Sequence, residues 1–430
     1  MGRNVFMSFL GTSKYKKAIY YYKKERVENV DYVQEAMIKI FCKDFKDNDS
    51  SYVFMTERAK ESNWSGSKNT TGLSNNLKKL KLSCKINPVE IPESMTEDSL
   101  WRIFEIIHNN IEREDNIILD ITHGFRFLPM LTITLLNYER FVKKIVVKGI
   151  YYGALEILGP HSKIDGETSE KLIEVPIMDL TSFDNLLQWS SAADNFVNYG
   201  NTRKLSSLIQ KNIAPLRTKS SGKDETAKSL KDLMGSLNRI YSQITTVRGK
   251  AIYEGTAFSN LKTSLSKLEN TNTIISPLNP ILKIIESKIN SFKENHLDNC
   301  FSAVEWCITH GLIQQGITLL QETIITHILE FLGLAWNNRE YREMVGTCIN
   351  IKTRKINNSK LPESVRENRD LANKILSSEI FKKLYKPYES LREYRNDINH
   401  GGFVESIKPE AFGPKLQKVF KQVKEIICGV

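Results

Sequence analysis

The chain reads as two kinds of structure in series: an α/β part built on a parallel sheet, then an all-α remainder. Three observations predict this. Apolar strand-like runs alternate with helical segments through residues 1–180, strand signal almost vanishes after Pro176, and helical periodicity dominates from there onward. A length of 430 residues favours two or three cores over one. We therefore expect three parts: 1–180 (α/β), 181–290 (a helical connector) and 291–430 (a terminal helical domain).

Taken in order, residues 5–10 (VFMSFL) form a short apolar run ending at Gly11, as a buried strand followed by a tight turn would. Residues 31–41 have helical spacing, with Val33, Ala36, Met37 and Ile40 on one face. Residues 51–55 (SYVFM) read as a strand, and residues 100–111 as an amphipathic helix with Trp101, Phe104, Ile107 and Ile111. Residues 116–121 (NIILDI) are a continuous apolar strand running into Thr122-His123-Gly124. Residues 128–141 are helical, and 144–151 (KIVVKGIY) form the next strand. Strands apolar on both faces, separated by helices, imply a parallel sheet covered on two sides. Beyond it, residues 218–223 (TKSSGK) read as an exposed loop and 276–280 (SPLNP) as a break. A long helical pattern spans 300–334, and a final helix spans 382–400, stopped by Gly401-Gly402.

Composition narrows the class. With 40% hydrophobic and 26% charged residues the chain is that of a folded protein. The six cysteines, Cys42, Cys84, Cys300, Cys307, Cys348 and Cys428, form no CxxC pair and no cluster of zinc-ligand spacing, so we expect buried free thiols and no metal site. The first residues lack the apolar length of a secretion signal, and no run approaches a membrane span, so we expect a soluble, cytoplasmic protein with no membrane partner. A formal charge of +11 favours polyanionic partners. Lys78, Lys79, Lys81 and Lys85 have no interleaved aromatics and read as a solvated helix face.

Two turns leave the carboxyl ends of strands with small polar residues: Gly11-Thr12-Ser13 and Thr122-His123-Gly124. Ligands of open α/β sheets bind outside those strand ends. Glycine lets backbone approach an anion, and hydroxyls and N–H groups can cradle phosphate. Asn63-Trp64, after the 51–55 strand, offers a surface on which a base can stack. These segments resemble the DxTHG family of CRISPR-associated proteins: FLGTSKY (9–15) and DITHGFR (120–126), with WRIFE (101–105), KGIYYG (148–153) and PIMDLT (176–181) between and after them. The resemblance implies a Rossmann-like CARF sensor domain for cyclic oligoadenylates made by type III CRISPR complexes. Cyclic tetra-adenylate is the first expectation for the ring and cyclic hexa-adenylate the second. It assigns ligand binding to Gly11, Thr12, Ser13, Trp64, Thr122, His123 and Gly124. Asp120 is expected to cap its own turn, since a buried carboxylate is unfavourable beside a polyanion.

A second constellation, YRNDINHGG, occupies residues 394–402. Metal-independent RNA cleavage needs a base for the 2′-OH proton, an acid for the leaving 5′-oxygen and a cation for the phosphorane. Histidine titrates near neutrality and arginine grips phosphate through two donors. One chain supplies a single Arg395 and a single His400, which points to a composite site across the two-fold axis of a homodimer or a higher homo-oligomer. The motif resembles the R-x4-6-H pattern of HEPN ribonucleases, including the polar Asn396 after the arginine, and residues 303–320 resemble the first HEPN helix. The resemblance implies catalysis by Arg395 (phosphate anchor), His400 (general acid or base) and Asn396 (orienting the phosphate or His400). Asp397 and Asn399 are secondary candidates, whereas His310 and His327 read as packing or surface histidines.

The expected function is thus a cyclic-oligoadenylate-activated, metal-independent endoribonuclease acting on single-stranded RNA in CRISPR antiviral defence, with no cofactor beyond its activator. The sensor can in addition degrade that activator by itself. The alternative is a non-enzymatic, cyclic-nucleotide-responsive regulator or partner-binding protein.

Overall fold

Strand β1 (Asn4–Leu10) shows why the first half folds as it does. Val5, Met7 and Phe9 enter one hydrophobic core while Phe6 and Leu10 enter another, all nearly or fully buried. A strand apolar on both faces has to lie inside a sheet covered on both sides. A computed structural model of the chain describes residues 2–67, 70–93, 96–125, 127–155, 173–219, 224–269, 279–357, 360–403 and 406–428. Residues 220–223 of the expected loop, 276–278 of the expected break and Arg126 of the DITHGFR segment lie outside these.

The chain divides into two units, Met1–Asn185 and Leu186–Val430. The first is α/β. After β1 come β2 (Ala18–Tyr22), β3 (Glu25–Val30) and β4 (Ser50–Met55). A two-residue pair, β5 (Gly66–Ser67) and β6 (Thr70–Thr71), forms a separate small ladder. β7 (Lys85–Glu90), β8 (Asn116–Asp120), β9 (Val146–Gly153) and β10 (Ile173–Asp179) complete the set. The main sheet has the order β3-β2-β10-β9-β8-β1-β4-β7. From β7 to β9 every neighbour is parallel, but β10 runs antiparallel to β9 and β3 antiparallel to β2. The sheet is therefore mostly parallel, as expected, with antiparallel pairings only at β9–β10 and β2–β3 among the described residues.

Helices Val33–Phe41 and Leu73–Lys79 contribute buried residues to one face, and Glu97–Asn109 and Leu128–Val142 to the other. Thr96 caps its helix by accepting from the Ser99 amide (3.4 Å), which fixes where the chain turns from loop to helix.

The Thr181–Tyr199 helix carries the chain into the second unit. Among the described residues this unit is helical, and one continuous core runs through it from Trp189 to Val423. Residues of the expected connector (Leu233, Phe258, Ile285) and of the expected terminal domain (Val304, Ile324, Phe381, Leu416) share that core. Two helix expectations are corrected. The pattern at 300–334 is two helices, Asp298–Thr309 and Ile313–Phe331, because Gly311 adopts left-handed backbone (φ +68°) between them. The same break divides the 303–320 segment read as one helix. The helix ending before His400 is not the last, since Pro409–Cys428 follows it. Cys42, Cys84, Cys300, Cys307 and Cys348 are buried free thiols. Among the described residues no helix is long and apolar enough to cross a membrane.

Candidate functional site: a strand-end cleft and a helix end

After an excursion through β2 and β3 at the far edge, the chain adds the parallel strands β4 and β7 on one side of β1, and then β8 and β9 on its other side. The crevice between β1 and β8 is thus the switch point of the sheet, where ligands of such folds bind beyond the carboxyl ends of the strands. The registers Leu10↔Met55 and Met7↔Leu119 bring those ends together, so the turns after β1 and β8 flank one cleft. Its volume is about 120 Å³, and Gly11, Thr12, Ser13, Thr56, His123, Gly124 and Phe125 line its mouth. Larger hollows exist. One of about 680 Å³ opens at the amino ends of the strands, by Lys46, Lys144 and Lys148, and another of about 330 Å³ lies in the helical unit by Tyr253 and Trp336. Size alone selects neither, since ligands of open α/β sheets bind outside the carboxyl ends of the strands.

The turn after β8 is built by Asp120. This residue is fully buried; its Oδ2 accepts from the Ser8 hydroxyl (2.7 Å) and its Oδ1 from the Thr122 amide (3.0 Å) and hydroxyl (2.5 Å). Burial raises its pKa above the usual carboxylate range. The Thr122 and Ser8 hydroxyls, the Thr122 amide and the nearby His123 pull the other way. Thr122 Oγ1 in turn accepts from the Gly153 amide (2.8 Å), tying the turn to β9. Its hydroxyl proton is committed to Asp120, so Thr122 positions the turn and its side chain offers a ligand only a remaining lone pair. Gly124 has φ +121°, and a Cβ there would lie 3.0 Å from Leu128 Cδ1 and 3.2 Å from Phe9 Cβ, so the position requires glycine.

The turn after β1 is held from three directions. Asn63 Nδ2 donates to the carbonyls of Gly11 (2.8 Å) and Ser13 (3.0 Å). The Gly11 amide donates to the Tyr15 hydroxyl (3.0 Å), and the Tyr15 ring meets the His123 ring edge-on at 4.5 Å. Gln34 Nε2 donates to the Phe9 carbonyl (2.8 Å) and reaches the Tyr15 hydroxyl (3.4 Å), whose pKa burial drives upward. Thr12 and Ser13 are left exposed, as are Lys14, Lys16 and Lys17 beyond them. These three lysines make no ion pair among the described residues. They give the mouth of the cleft a positive rim suited to phosphate.

Of the seven expected ligand residues, Gly11, Thr12, Ser13, His123 and Gly124 line the cleft, and Thr122 stands behind it. Trp64 is not among the residues lining the cleft: the π-helical turn Lys60–Trp64 turns Asn63 onto the β1 loop and leaves the Trp64 ring half-buried against the hydrophobic core. Asn63, Tyr15 and Gln34 were not singled out as loop-holders from sequence.

The second constellation lies at the end of the Glu379–Asn399 helix, with His400 as its C-cap. The His400 amide donates to the Asn396 carbonyl (2.9 Å). Asn396 and His400 are exposed, and Arg395 is half-buried. Arg395 Nε is buried without a hydrogen-bond partner, and its guanidinium makes no ion pair among the described residues, whereas Arg392, a turn earlier, is neutralised by Glu389 at 3.0 Å. Tyr388 is buried two turns before Arg395. Burial raises its pKa and Glu322 adds to the shift, while Arg395 and Arg392 oppose it. Asp397 and Asn399 are engaged within the chain: Asp397 Oδ1 accepts from the Ile407 amide (3.4 Å), and Asn399 Oδ1 from Gln314 Nε2 (3.3 Å). His310 packs with its ring nitrogens at the carbonyls of Trp306 (2.8 Å) and Val197 (3.1 Å). On a straight helix, five residues separate Arg395 and His400 by about 140° and about 7.5 Å of rise.

Comparison with known proteins bears first on the α/β unit. Residues 5–156 match the model of the CARF domain of CRISPR system endoribonuclease Csx1. The first unit carries a CARF domain. That domain holds the strand-end cleft. Residues 185–296 match the second domain of the CRISPR-associated protein MJ1674, a match that begins at the boundary between the two units. The MJ1674 protein of Methanocaldococcus jannaschii is 23% identical over 350 residues, covering 80% of this chain and 46% of the relative, so the chain spans about half the length of that curated relative. Among solved structures, Enterococcus italicus Csm6 bound to cyclic hexa-2'-fluoro-hexa-dAMP is similar, with 13% identity, a TM-score of 0.44, and coverage of 100% of this chain and 94% of that one.

Proposed function

We propose that this chain is an endoribonuclease switched on by a cyclic oligoadenylate, with the CARF cleft as sensor and the Arg395/His400 helix end as nuclease. The observation that carries the reading is their coexistence in one chain: a CARF domain at one end, and at the other an exposed histidine capping a helix that holds an unneutralised arginine. An arginine without an internal anion is equipped to receive a phosphate from outside.

A cleft of about 120 Å³ is smaller than the roughly 300–1,000 Å³ of ordinary small-molecule sites. We read it as half of a site that a second copy completes, with the ring lying on the two-fold axis. Cyclic tetra-adenylate is the first candidate and cyclic hexa-adenylate the second. Gly11, Thr12, Ser13, His123 and Gly124 contact the ring, and Thr122 holds the turn.

In the nuclease part, one His400 takes the proton from the ribose 2′-OH, and the oxygen attacks phosphorus. The His400 of the second copy protonates the departing 5′-oxygen. Arg395 stabilises the charge on the phosphorane, and Asn396 orients the phosphate. The bond formed is 2′-O–P and the bond broken is P–O5′, so the products carry a 2′,3′-cyclic phosphate and a free 5′-hydroxyl. HEPN-type chemistry of this kind proceeds in EDTA.

The test is end-group analysis of single-stranded RNA incubated with protein and activator in EDTA. We expect cyclic phosphate ends from the wild type and a loss of about 10²–10⁴-fold in rate for His400→Ala. Arg395→Lys is expected to restore little over Arg395→Ala, since a point charge does not replace a two-pronged donor. An output that persists in His400→Ala would instead support a non-enzymatic regulator.

A further inference from the structure

The loop that follows the Glu379–Asn399 helix is pinned at its base. The Gly402 amide donates to the Asp397 carbonyl (3.0 Å), the Gly401 amide to the Ile398 carbonyl (3.2 Å), and the Ile407 amide to Asp397 Oδ1 (3.4 Å). Gly401 and Gly402 both adopt left-handed backbone, φ +70° and +63°, a pair that side chains rarely permit. This turn displays Phe403, 92% exposed and the most exposed large apolar side chain among the described residues. A Cβ at Gly401 would come within 3.2 Å of two Phe403 ring carbons, so the ring lies over the glycine that follows His400.

Single exposed apolar residues are ordinary. What distinguishes this one is its place. Within eight residues before it stand the unneutralised Arg395 and the exposed Asn396 and His400. The neighbouring aromatic Tyr394 is committed elsewhere, edge-on to Phe412 at 5.3 Å with the Lys415 ammonium over its ring at 5.3 Å. Cations for the backbone beside a bare aromatic face for a base make up the equipment of single-strand recognition.

We propose that Phe403 is a stacking platform for the RNA substrate, holding the nucleobase beside the scissile phosphate and thereby setting that phosphate against Arg395 and His400. The proposal rests on reading Arg395 and His400 as the nuclease site. Stacking accepts every base and favours those with the larger π-face, so Phe403 gives a mild purine preference next to the cut and no strict sequence rule.

The test uses the full chain with activator in two arms. In the first, His400→Ala protein is mixed with single-stranded RNA carrying one 2-aminopurine, whose emission falls on stacking. Quenching is expected with His400→Ala, is lost when Phe403→Ala is added, and returns with Phe403→Tyr in place of Ala. In the second, Phe403→Ala in an otherwise wild-type chain raises KM for RNA about tenfold with kcat within about twofold, again restored by Tyr. Its mass by light scattering stays that of the wild type. Equal quenching with and without the ring overturns the proposal. So does a Phe403→Ala protein that falls to monomer, which would make the ring a contact between copies. If the wild type cuts no RNA, the nuclease reading fails, and the quenching arm still decides the role of Phe403.

Discussion

Both oxygens of Asp120 are occupied by the chain itself, by Ser8 and by the amide and hydroxyl of Thr122. The aspartate of the motif thus shapes the turn after β8 from beneath. Asp120→Ala leaves buried donors unpaired and is expected to cost about 1–3 kcal/mol in urea unfolding at neutral pH. Asp120→Asn keeps an acceptor for the Thr122 amide, removes a buried charge and is expected to cost less. Burial raises the Asp120 pKa, so the folded chain holds this proton more tightly than the unfolded one. The associated stability is complete below the ordinary carboxylate range and is lost as pH rises through the raised value. The stability of the wild type relative to Asp120→Asn should therefore fall from acid pH toward neutrality. A rise over that interval would show that the three hydrogen bonds outweigh burial.

Among elements, the turns after β1 and β8 differ in what their glycines do. Gly124 is obligatory: its φ of +121° and its crowding by Leu128 and Phe9 make Gly124→Ala cost about 1–3 kcal/mol in thermal or urea unfolding. A Cβ at Gly11 would find its nearest neighbour, the Tyr15 hydroxyl, at 3.7 Å, so Gly11→Ala should leave stability within about 0.5 kcal/mol. That methyl would narrow the cleft beside His123, and calorimetry with cyclic tetra-adenylate should show binding weakened about tenfold, the equivalent of one charged hydrogen bond. Unchanged affinity in Gly11→Ala would move the ligand away from this turn. The sequence disclosed the strands buried on both faces, β1, β4, β8 and β9, and the helices between them, because continuous apolar runs survive single-sequence reading. It hid the rest for identifiable reasons. β2 is a short run of five residues between Lys16-Lys17 and Lys23-Lys24, the edge strand β3 carries Glu25, Arg26 and Glu28, and β7 and β10 contain Pro88 and Pro176. The Pro409–Cys428 helix was masked by Gly413-Pro414 near its start. In the site, turn residues with special backbone were visible, whereas Asn63, Tyr15 and Gln34, which act through side-chain bonds to backbone, leave no periodic trace.

For the whole molecule, the arithmetic of groups points to two copies. One chain carries one Arg395 and one His400, set about 140° apart on their helix, and a cleft of about 120 Å³. On the proposed function, each part is half of what its chemistry requires. On that same reading, activation is a population shift: the ring would bind the cleavage-competent arrangement of the pair more tightly than the resting one, and the shift cannot exceed that difference in affinity. The central claim is the coupling of sensor to nuclease, and it is tested most directly by cleavage of single-stranded RNA in EDTA, with and without cyclic tetra- or hexa-adenylate, by wild type and His400→Ala. Cutting that requires one of the rings and vanishes in His400→Ala is the predicted result. Cutting at the same rate without a ring, or no cutting by a wild type that measurably binds one, would contradict it.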